Sequence, residues 1–403
     1  MIDIKLTEDL SNAFGPSGFE EDVVKTLYRH CREEFSLQHD AMHNVFMRFQ
    51  ESSKERKFSC TRLMDEPPHH ESLSGALGIP ELSAAYRQRD FQSKKPLLML
   101  DAHSDECGFM VQAIQENGLL SFLMLGGFHL TSLPAHSVLV RTQAGELVRG
   151  IITSKPVHFL TDKQRADSSL EIESLFIDVG ACSRKEAMEE FGIRIGDPVV
   201  PEVTFSYQEK RGLCFGKAFD NRMGCASIVH TMRALKAEAK ELAVDVVGAF
   251  AAQEEVGTRG ASVTAAVCKP DLAIVFEGSP ADDFFVSAGM AQGAMHGGVQ
   301  LRRMDKSYLS NPAFLAYARE VAEKNHIRYQ ETVRRGGSTN AGKISLSGKA
   351  VPVLVLGIPA RYVHSHYNFT AVEDMEATAA LATEVIRNLD EERIRHIMRQ
   401  DIV

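Results

Sequence analysis

Hydrophobic and polar residues recur along this chain with the periods of both helices and strands. Near the N-terminus, Phe19, Val23, Leu27 and Cys31 lie four residues apart, which predicts an amphipathic helix. Beyond residue 201, apolar runs alternate with helical patterns. The run LAVDVVGAFAA is almost continuously apolar, as is typical of a strand buried on both faces of a sheet. Such alternation predicts an α/β domain with a mixed, largely parallel sheet flanked by helices.

The individual elements of this domain can be identified from their runs. Further strands are predicted at LLML, DLAIVFEG and AVPVLVLGIP. Helices are predicted at NRMGCASIVHTMRALKAEA, RGASVTAAVC and PAFLAYAREVAEKN. A single long helix, AVEDMEATAALATEVIRNLDEERI, is expected near the C-terminus.

The region 116–201 has a different pattern. Short β-rich runs such as HSVLVRT, LVRGIIT and SLFIDVG are separated by glycines and polar turns. This pattern predicts a small β-barrel or sandwich inserted into the α/β domain. The chain therefore divides into a first part of the α/β domain (1–115), a β insert (116–201) and a second part of the α/β domain (202–403).

Composition narrows the class of protein. The 403 residues are 44% hydrophobic and 25% charged, with a formal net charge of -9, which argues against a nucleic-acid surface. The seven cysteines are scattered and odd in number, which argues against a disulfide framework and a cysteine-ligated zinc site. We see no basic leader before an apolar run and no apolar stretch long enough for a membrane span. These features predict a cytoplasmic protein.

Polar clusters lie at or just after the ends of the predicted strands, where α/β sheets bind their ligands. Taken singly, each cluster also has an ordinary structural explanation. In chain order these are a polar turn, an N-cap aspartate, surface glutamates in a loop, a charge at a strand end and a structural histidine. Asp282 and Asp283 are alternative candidates for the acidic residue at the fourth position. The residues are His103 with Asp105, Asp220, Glu254 with Glu255, Glu277, and His364 with His366.

Together these residues offer a set of metal ligands. Imidazole and carboxylate groups suit zinc, cobalt or manganese. Their number fits two cations that share one bridging carboxylate. One carboxylate remains, as a general base requires. Asp105 could orient His103 through the ring nitrogen that does not bind metal.

The order of these motifs resembles a known family. H-x-D, DNRMG, EEVGTRGA, a strand-end glutamate and RYVHS occur in the same order in the glutamyl and tetrahedral (TET) aminopeptidases, some of which have been labelled endoglucanases. GPSGFEEDV and GGSTNAGKISLSGKAVPVLVLGIPARYVHSH are similar to the family's terminal blocks. The resemblance implies a zinc-peptidase fold with an inserted β-barrel, and it makes residues 52–93 an insertion.

The resemblance also implies roles for individual residues. Asp105 would orient its neighbour, Glu254 would be the general base, and His366 would at most line the pocket. The cations would be zinc or cobalt, with manganese as a further option, and the Asp220–Asn221 peptide would be cis. The metal ligands would be His103, Asp220 as the bridge, Glu255 to a cation left unassigned, Glu277 and His364.

Beyond the site, the resemblance implies peptide substrates and dimer-based self-association up to a dodecamer, in which the β insert serves assembly and substrate access. The chain departs from the family pattern at Asn340, where Asp is common, and at Phe128, where Trp usually follows the glycines. Arg334 and Arg335 could favour acidic side chains. We also consider a related metal-dependent deacylase or carboxypeptidase, a glycosidase using Glu254 and Glu277, and a non-enzymatic oligomer.

Overall fold

The structure is a computed structural model that describes residues 2–50, 95–155, 157–159, 170–287 and 289–399. The insertion predicted at 52–93 lies outside these residues. The α-helices are α1 (Ile4–Asn12), α2 (Glu21–Cys31), α3 (Arg184–Glu189), α4 (Phe219–Leu235), α5 (Arg259–Cys268), α6 (Pro312–Lys324), α7 (Asn340–Ser345), α8 (Val372–Arg387) and α9 (Glu391–Ile397).

The strands form one large sheet and one barrel. They are β1 (Phe35–His39), β2 (Val45–Phe49), β3 (Leu97–His103), β4 (Gly108–Ile114), β5 (Leu120–Leu125), β6 (Ser137–Arg141), β7 (Leu147–Ile152), β8 (Ile177–Asp178), β9 (Pro198–Pro201), β10 (Ser206–Gln208), β11 (Leu213–Gly216), β12 (Asp245–Ala251), β13 (Leu272–Pro280), β14 (Val299–Met304), β15 (Tyr329–Val333), β16 (Val353–Arg361) and β17 (Asn368–Ala371).

The large sheet is mixed and has a parallel centre. Its order is β1-β2-β12-β3-β13-β16-β17-β11-β10, with β14 beside β16 and β15 beside β14. The central strands β12, β3, β13 and β16 run parallel, whereas antiparallel pairs flank them. Parallel strands end at the same edge of a sheet, so this arrangement aligns the polar residues that follow β12, β3 and β16 with Glu277 of β13.

Helices cover both faces of the sheet. Along β3, Leu98 and Leu100 enter the core that also contains side chains of α1, α4 and α8, whereas Met99 enters a second core with side chains of α5 and α7. This alternation is the two-residue period of a strand, here buried on both sides. The predicted α/β sheet is therefore confirmed.

The barrel is a separate closed structure. Its strands run in the order β4-β5-β8-β7-β6-β9, and every pair in it is antiparallel. Its own apolar core includes Phe109, Leu120 and Val138. The barrel begins at Gly108, earlier than the predicted boundary at 116, because β4 pairs with β5 and β9 and buries its apolar face among them.

The predicted single C-terminal helix is wrong in one respect. Its first part is α8, but the helix ends at Arg387 and α9 begins at Glu391. Asp390 caps α9 by accepting the backbone N–H of Arg393 at 2.8 Å. This side-chain cap competes with continuation of the helix, while the apolar period continues across the break. No helix among the described residues is long and apolar enough to span a membrane.

Candidate metal and catalytic site

The carboxyl ends of the central strands bring the predicted site residues together. His103 is the last residue of β3, and Glu254 and Glu255 follow β12 directly. Glu277 lies near the end of β13, and His364 follows β16. Asp220 reaches the same edge from the start of α4, where its backbone is not yet helical.

Asp220 lies between the two histidines. Its Oδ1 is 3.0 Å from His103 Nε2, and its Oδ2 is 3.4 Å from His364 Nε2. Burial alone would raise the pKa of Asp220, but its hydrogen bonds with the two imidazoles outweigh burial and lower that pKa. Each oxygen of this carboxylate therefore faces a different imidazole.

Asn221 ties Asp220 to β13. The Asp220–Asn221 peptide is cis, as the resemblance implied. The Asn221 side chain donates to Phe276 O at 2.8 Å and to Glu277 Oε2 at 3.3 Å, and it accepts the backbone N–H of Gly278 at 3.0 Å. A Cβ on Gly278 would lie 2.6 Å from Asp220 Cα, so only glycine permits this approach. Sequence reasoning did not identify Asn221 as a site residue.

Asp105 contacts both halves of the site. Its Oδ1 lies 3.3 Å from His103 Nδ1, which is the relationship predicted for an orienting carboxylate. The same carboxylate accepts the backbone N–H of Glu254 at 2.9 Å and that of Glu255 at 3.1 Å. Ser17 donates its hydroxyl to Asp105 at 2.6 Å. Asp105 therefore holds the backbone of both glutamates and lies beside the imidazole.

The N-terminal segment supports the turn that carries these glutamates. Glu20 is buried, and its Oε1 accepts the backbone N–H groups of Gln253 at 3.1 Å and Gly18 at 2.8 Å. Asn44 Oδ1 accepts the N–H of Ala252 at 2.8 Å. Gln253 has a left-handed φ of 55°, which these contacts hold in place. Around Glu20 the sequence pattern predicts only the start of a helix, and it gives no signal for Asn44. Sequence reasoning therefore missed both residues as supports of the turn.

The glutamates are buried close to one another. Burial raises the pKa of Glu254 to about 8 and that of Glu255 to about 7, and it raises the pKa of Glu277 well above its usual range. Neighbouring carboxylates, Asp220 among them, reinforce each shift. Such a concentration of acidic groups disfavours their ionised forms unless positive charge is supplied. The donor set therefore fits divalent cations.

His364 presents one nitrogen to the carboxylates. Its Nδ1 lies 2.6 Å from the carbonyl oxygen of Gly127, so Nδ1 carries the proton and donates. Its Nε2 lies 4.0 Å from Glu255 Oε2, in addition to its contact with Asp220. Ligand atoms of His103, Asp220 and Glu255 also lie within 4.8 Å of one another. These distances permit one cation on each side of Asp220.

His366 lies apart from this cluster. It is fully buried, its ring centroid is 4.2 Å from that of His136, and it also packs near Phe128 and Phe109. These contacts join the barrel to the α/β domain. Phe128, at the position where the resemblance leads us to expect Trp, stacks on Phe109 with centroids 4.7 Å apart. His366 is therefore a packing residue in this structure.

The remaining candidates have partners of their own. Arg334 pairs with Asp282 at 3.1 Å and donates to Pro280 O at 2.9 Å, so its guanidinium is already engaged; Arg335 is exposed. Asp283 pairs with Arg361 at 2.5 Å. These contacts make Asp282 and Asp283 ion-pair partners and leave Glu277 as the acidic residue of this segment in the site.

Asn340 forms a buried pair beneath β3. Its Nδ2 donates to Asp101 Oδ1 at 2.7 Å, and both side chains are buried. Burial raises the pKa of Asp101 to about 7, although the hydrogen bond from Asn340 opposes it. A second carboxylate at 340 would remove this donor. The departure from the family pattern thus concerns local hydrogen bonding and not the candidate ligands.

A buried ion cluster lies beside the metal-ligand candidates. Glu106 accepts from Lys217 Nζ at 2.5 Å and from Arg222 Nη2 at 3.3 Å, and all three side chains are buried. Arg222 also donates to the carbonyl oxygen of Leu10 at 2.6 Å. Glu106 and Lys217 line a small cavity together with Asp220, Glu255 and His364. The sequence carries no spacing that indicates this cluster.

Comparison with known proteins identifies the family. The model of the M42 glutamyl aminopeptidase family matches residues 84–381. The chain belongs to the M42 family. It is therefore a peptide hydrolase, and the predicted resemblance is confirmed.

Known proteins are similar to this chain in sequence or in fold. The glutamyl aminopeptidase of Lactococcus lactis is 30% identical over 302 residues, which cover 75% of this chain and 83% of that protein. The TET aminopeptidase of a marine sediment Thaumarchaeota archaeon is 32% identical, with a TM-score of 0.83 over 98% of this chain and 99% of that one. The Pyrococcus horikoshii TET1 peptidase, 24% identical, shares the fold with a TM-score of 0.74 over 96% and 99% of the two chains; it can assemble into a tetrahedron or a large octahedral shell.

Proposed function

We propose that this M42 protein is an aminopeptidase that removes N-terminal residues from peptides, using two divalent cations and Glu254 as the general base. The contact between Asp220 and both histidines carries this proposal. One carboxylate whose two oxygens face imidazoles at 3.0 and 3.4 Å has the arrangement of a ligand shared by two cations. An ordinary N-cap aspartate would accept backbone N–H groups of the helix and would not require contact with either imidazole.

The ligands separate into two sets that share Asp220. The first cation would be held by His103, Asp220 and Glu277, and the second by Asp220, Glu255 and His364. The contact of Glu255 with His364, together with the hydrogen bond from Asn221 to Glu277, supports this division. Nitrogen and oxygen ligands in this number suit zinc or cobalt, and manganese is a further option.

Glu254 is the remaining carboxylate. Bound cations would lower the pKa of a water molecule and polarise the scissile carbonyl. Glu254 accepts the proton that water loses as its oxygen attacks the carbonyl carbon. It then donates this proton to the amine nitrogen as the C–N bond breaks.

The backbone separates the roles of Glu254 and Glu255. Both N–H groups are fixed on Asp105, so the two adjacent side chains leave one turn in different directions. Glu255 approaches His364, whereas Glu254 Oε2 lies 4.0 Å from His103 Nε2. The substrate's α-amine would pair with a carboxylate of this acidic cluster, which accounts for action at a free N-terminus.

A substrate panel after metal removal and reloading tests this function. We expect cleavage of aminoacyl-anilides that is lost with chelation and restored by zinc, cobalt or manganese. Cleavage of N-blocked peptides or from the C-terminus instead would favour a deacylase or carboxypeptidase. Chelator-resistant cleavage of β-glucan oligosaccharides would favour the glycosidase alternative, and metal binding without turnover would favour a non-enzymatic protein.

We also propose that the protein self-associates through dimers up to a dodecamer, with the barrel serving assembly and substrate access. Apolar side chains on the barrel support this idea: Leu123, Leu147 and Ile151 are 49%, 54% and 52% exposed. Native mass measurement of the wild type and of Ile151→Glu tests it.

We further infer a reducing, cytoplasmic compartment, because the cysteines of the described residues are free thiols.

A further inference from the structure

Cys107 lies at the candidate metal site but has no role in the hydrolysis proposed above. It is in the link between β3 and β4, four residues after His103, and its half-buried side chain lines the cavity beside Asp220. Ligand atoms of Cys107, Glu255 and His364 lie within 4.8 Å of one another. The sulfur thus lies beside the carboxylate and the imidazole that are proposed to hold the second cation.

We propose that Cys107 supplies a sulfur ligand to the cation held by Glu255 and His364, so that this position prefers thiophilic cations such as zinc or cadmium to manganese. The inference rests on the proposed function, since it concerns the second of its two metal positions. Thiolate ligands favour soft cations such as zinc and cadmium, whereas carboxylate ligands also suit manganese. Coordination would replace the thiol proton, which leaves to solvent.

The local backbone leaves space for this thiol. Gly126 has a φ of +92°, and a Cβ there would lie 2.7 Å from Cys107 Sγ and 3.0 Å from Glu255 Oε2. Any other residue at 126 would occupy the space that the sulfur and the carboxylate share. The glycine therefore allows both donors to approach the same volume.

The thiol and the imidazole are positioned by the same carbonyl. Cys107 Sγ lies 3.8 Å from Gly127 O and 3.6 Å from His364 Nδ1, and His364 Nδ1 contacts the same oxygen at 2.6 Å. Because Nδ1 is used in this way, Nε2 remains available for a cation. The preceding residue, Glu106, is held by Lys217 and Arg222, which restricts movement of the link.

Among the described residues, no such thiol joins His103, Asp220 and Glu255 at the other metal position. The cysteine beside it, Cys225, is buried, and its Sγ donates to the backbone oxygen of His103 at 3.1 Å. This contact turns the sulfur toward the main chain. The two positions therefore differ in donor chemistry, with nitrogen and oxygen donors at His103 and an added sulfur at His364.

Cobalt substitution tests the proposal independently of activity. We expect the wild type loaded with Co²⁺ to show a sulfur-to-cobalt charge-transfer band in the near ultraviolet. The band should disappear in Cys107→Ser and in Cys107→Ala, and it should persist in Cys182→Ser, which removes an exposed thiol on the barrel segment. In competition titrations, Cys107→Ser should weaken Cd²⁺ binding by about tenfold or more while Mn²⁺ binding changes little.

The outcomes separate this inference from the proposed function. Two bound cobalt ions per chain without a sulfur band, or a band that survives in both Cys107 variants, would overturn the sulfur ligand and leave the two-cation site intact. Fewer than two cobalt ions per chain would count against the two-cation site itself. Binding of a single cobalt ion with a Cys107-dependent band would retain the sulfur ligand and contradict only the cation proposed at His103 and Glu277.

Discussion

The carboxylate of Asp105 accepts the backbone N–H of Glu254 at 2.9 Å. The carboxylate that lies 3.3 Å from the His103 imidazole therefore also holds the turn that carries the proposed base. A shift of Asp105 would therefore displace the proposed metal ligand His103 and the proposed base Glu254 together. Substitutions of residues that contact Asp105 should therefore change the rate of catalysis.

Ser17→Ala tests the contribution of the N-terminal segment. Loss of the 2.6 Å hydrogen bond from Ser17 to Asp105 should lower kcat by roughly two- to tenfold, the range expected when one hydrogen bond is removed. KM should change little, because Ser17 is not among the residues that line the cavity beside Asp220. Ser17→Thr keeps the hydroxyl and should restore kcat. A rise in KM with unchanged kcat would contradict a positioning role.

Lys217→Met tests the buried ion cluster. Removing this ammonium group leaves Glu106 with less compensation in a buried position, so the free energy of unfolding should fall by about 3–5 kcal/mol. Urea denaturation measures this change. Lys25→Met provides a control, because it removes an exposed lysine from its pair with Asp22 and should have little effect.

A double-mutant cycle completes this test. Glu106→Gln combined with Lys217→Met should be destabilised by less than the sum of the two single changes, since neither charge then remains alone. Simple additivity would show that the two groups do not interact in the folded protein.

His230 should make stability depend on pH. Burial lowers the pKa of His230 to about 4, and its neutral Nε2 accepts the backbone N–H of Asp3 at 3.1 Å. In the unfolded chain this pKa is about 6.5. The unfolded state therefore binds more protons between these values, and stability present above pH 6.5 is lost as the pH falls toward 4.

The loss between pH 7 and 5 should be about 2 kcal/mol from this group. His230→Gln keeps an acceptor for Asp3 but cannot titrate, so its free energy of unfolding should fall less over the same interval. Urea denaturation of both proteins at each pH gives the comparison. Parallel losses in the two proteins would exclude His230 as the source.

Much of the candidate site could be predicted because its residues follow strand ends. His103, Glu254 and Glu255 each come directly at or after an apolar run, and parallel strands bring such positions to one edge. Glu277 and His364 follow the same logic on β13 and β16.

The contacts that support the site could not be predicted in this way. Ser17 and Asp105 are far apart in sequence, as are Glu106 and Lys217, and no local period reports such pairs. The break between α8 and α9 was missed because the apolar pattern continues across the cap formed by Asp390. The start of the barrel was predicted too late in the chain, because the apolar pattern of β4 is equally typical of a strand in the large sheet and of a strand in the barrel.

The central claim is that Glu254 transfers the proton from water to the leaving amine, while Glu255 is a ligand of a cation. Measuring both kcat and bound metal in Glu254→Gln and Glu255→Gln tests it most directly. We expect Glu254→Gln to keep its two cations and to lose about 100- to 10,000-fold in kcat. Glu255→Gln should lose one cation. A Glu254→Gln protein with full metal and full activity, or equal metal loss in both variants, would contradict the account.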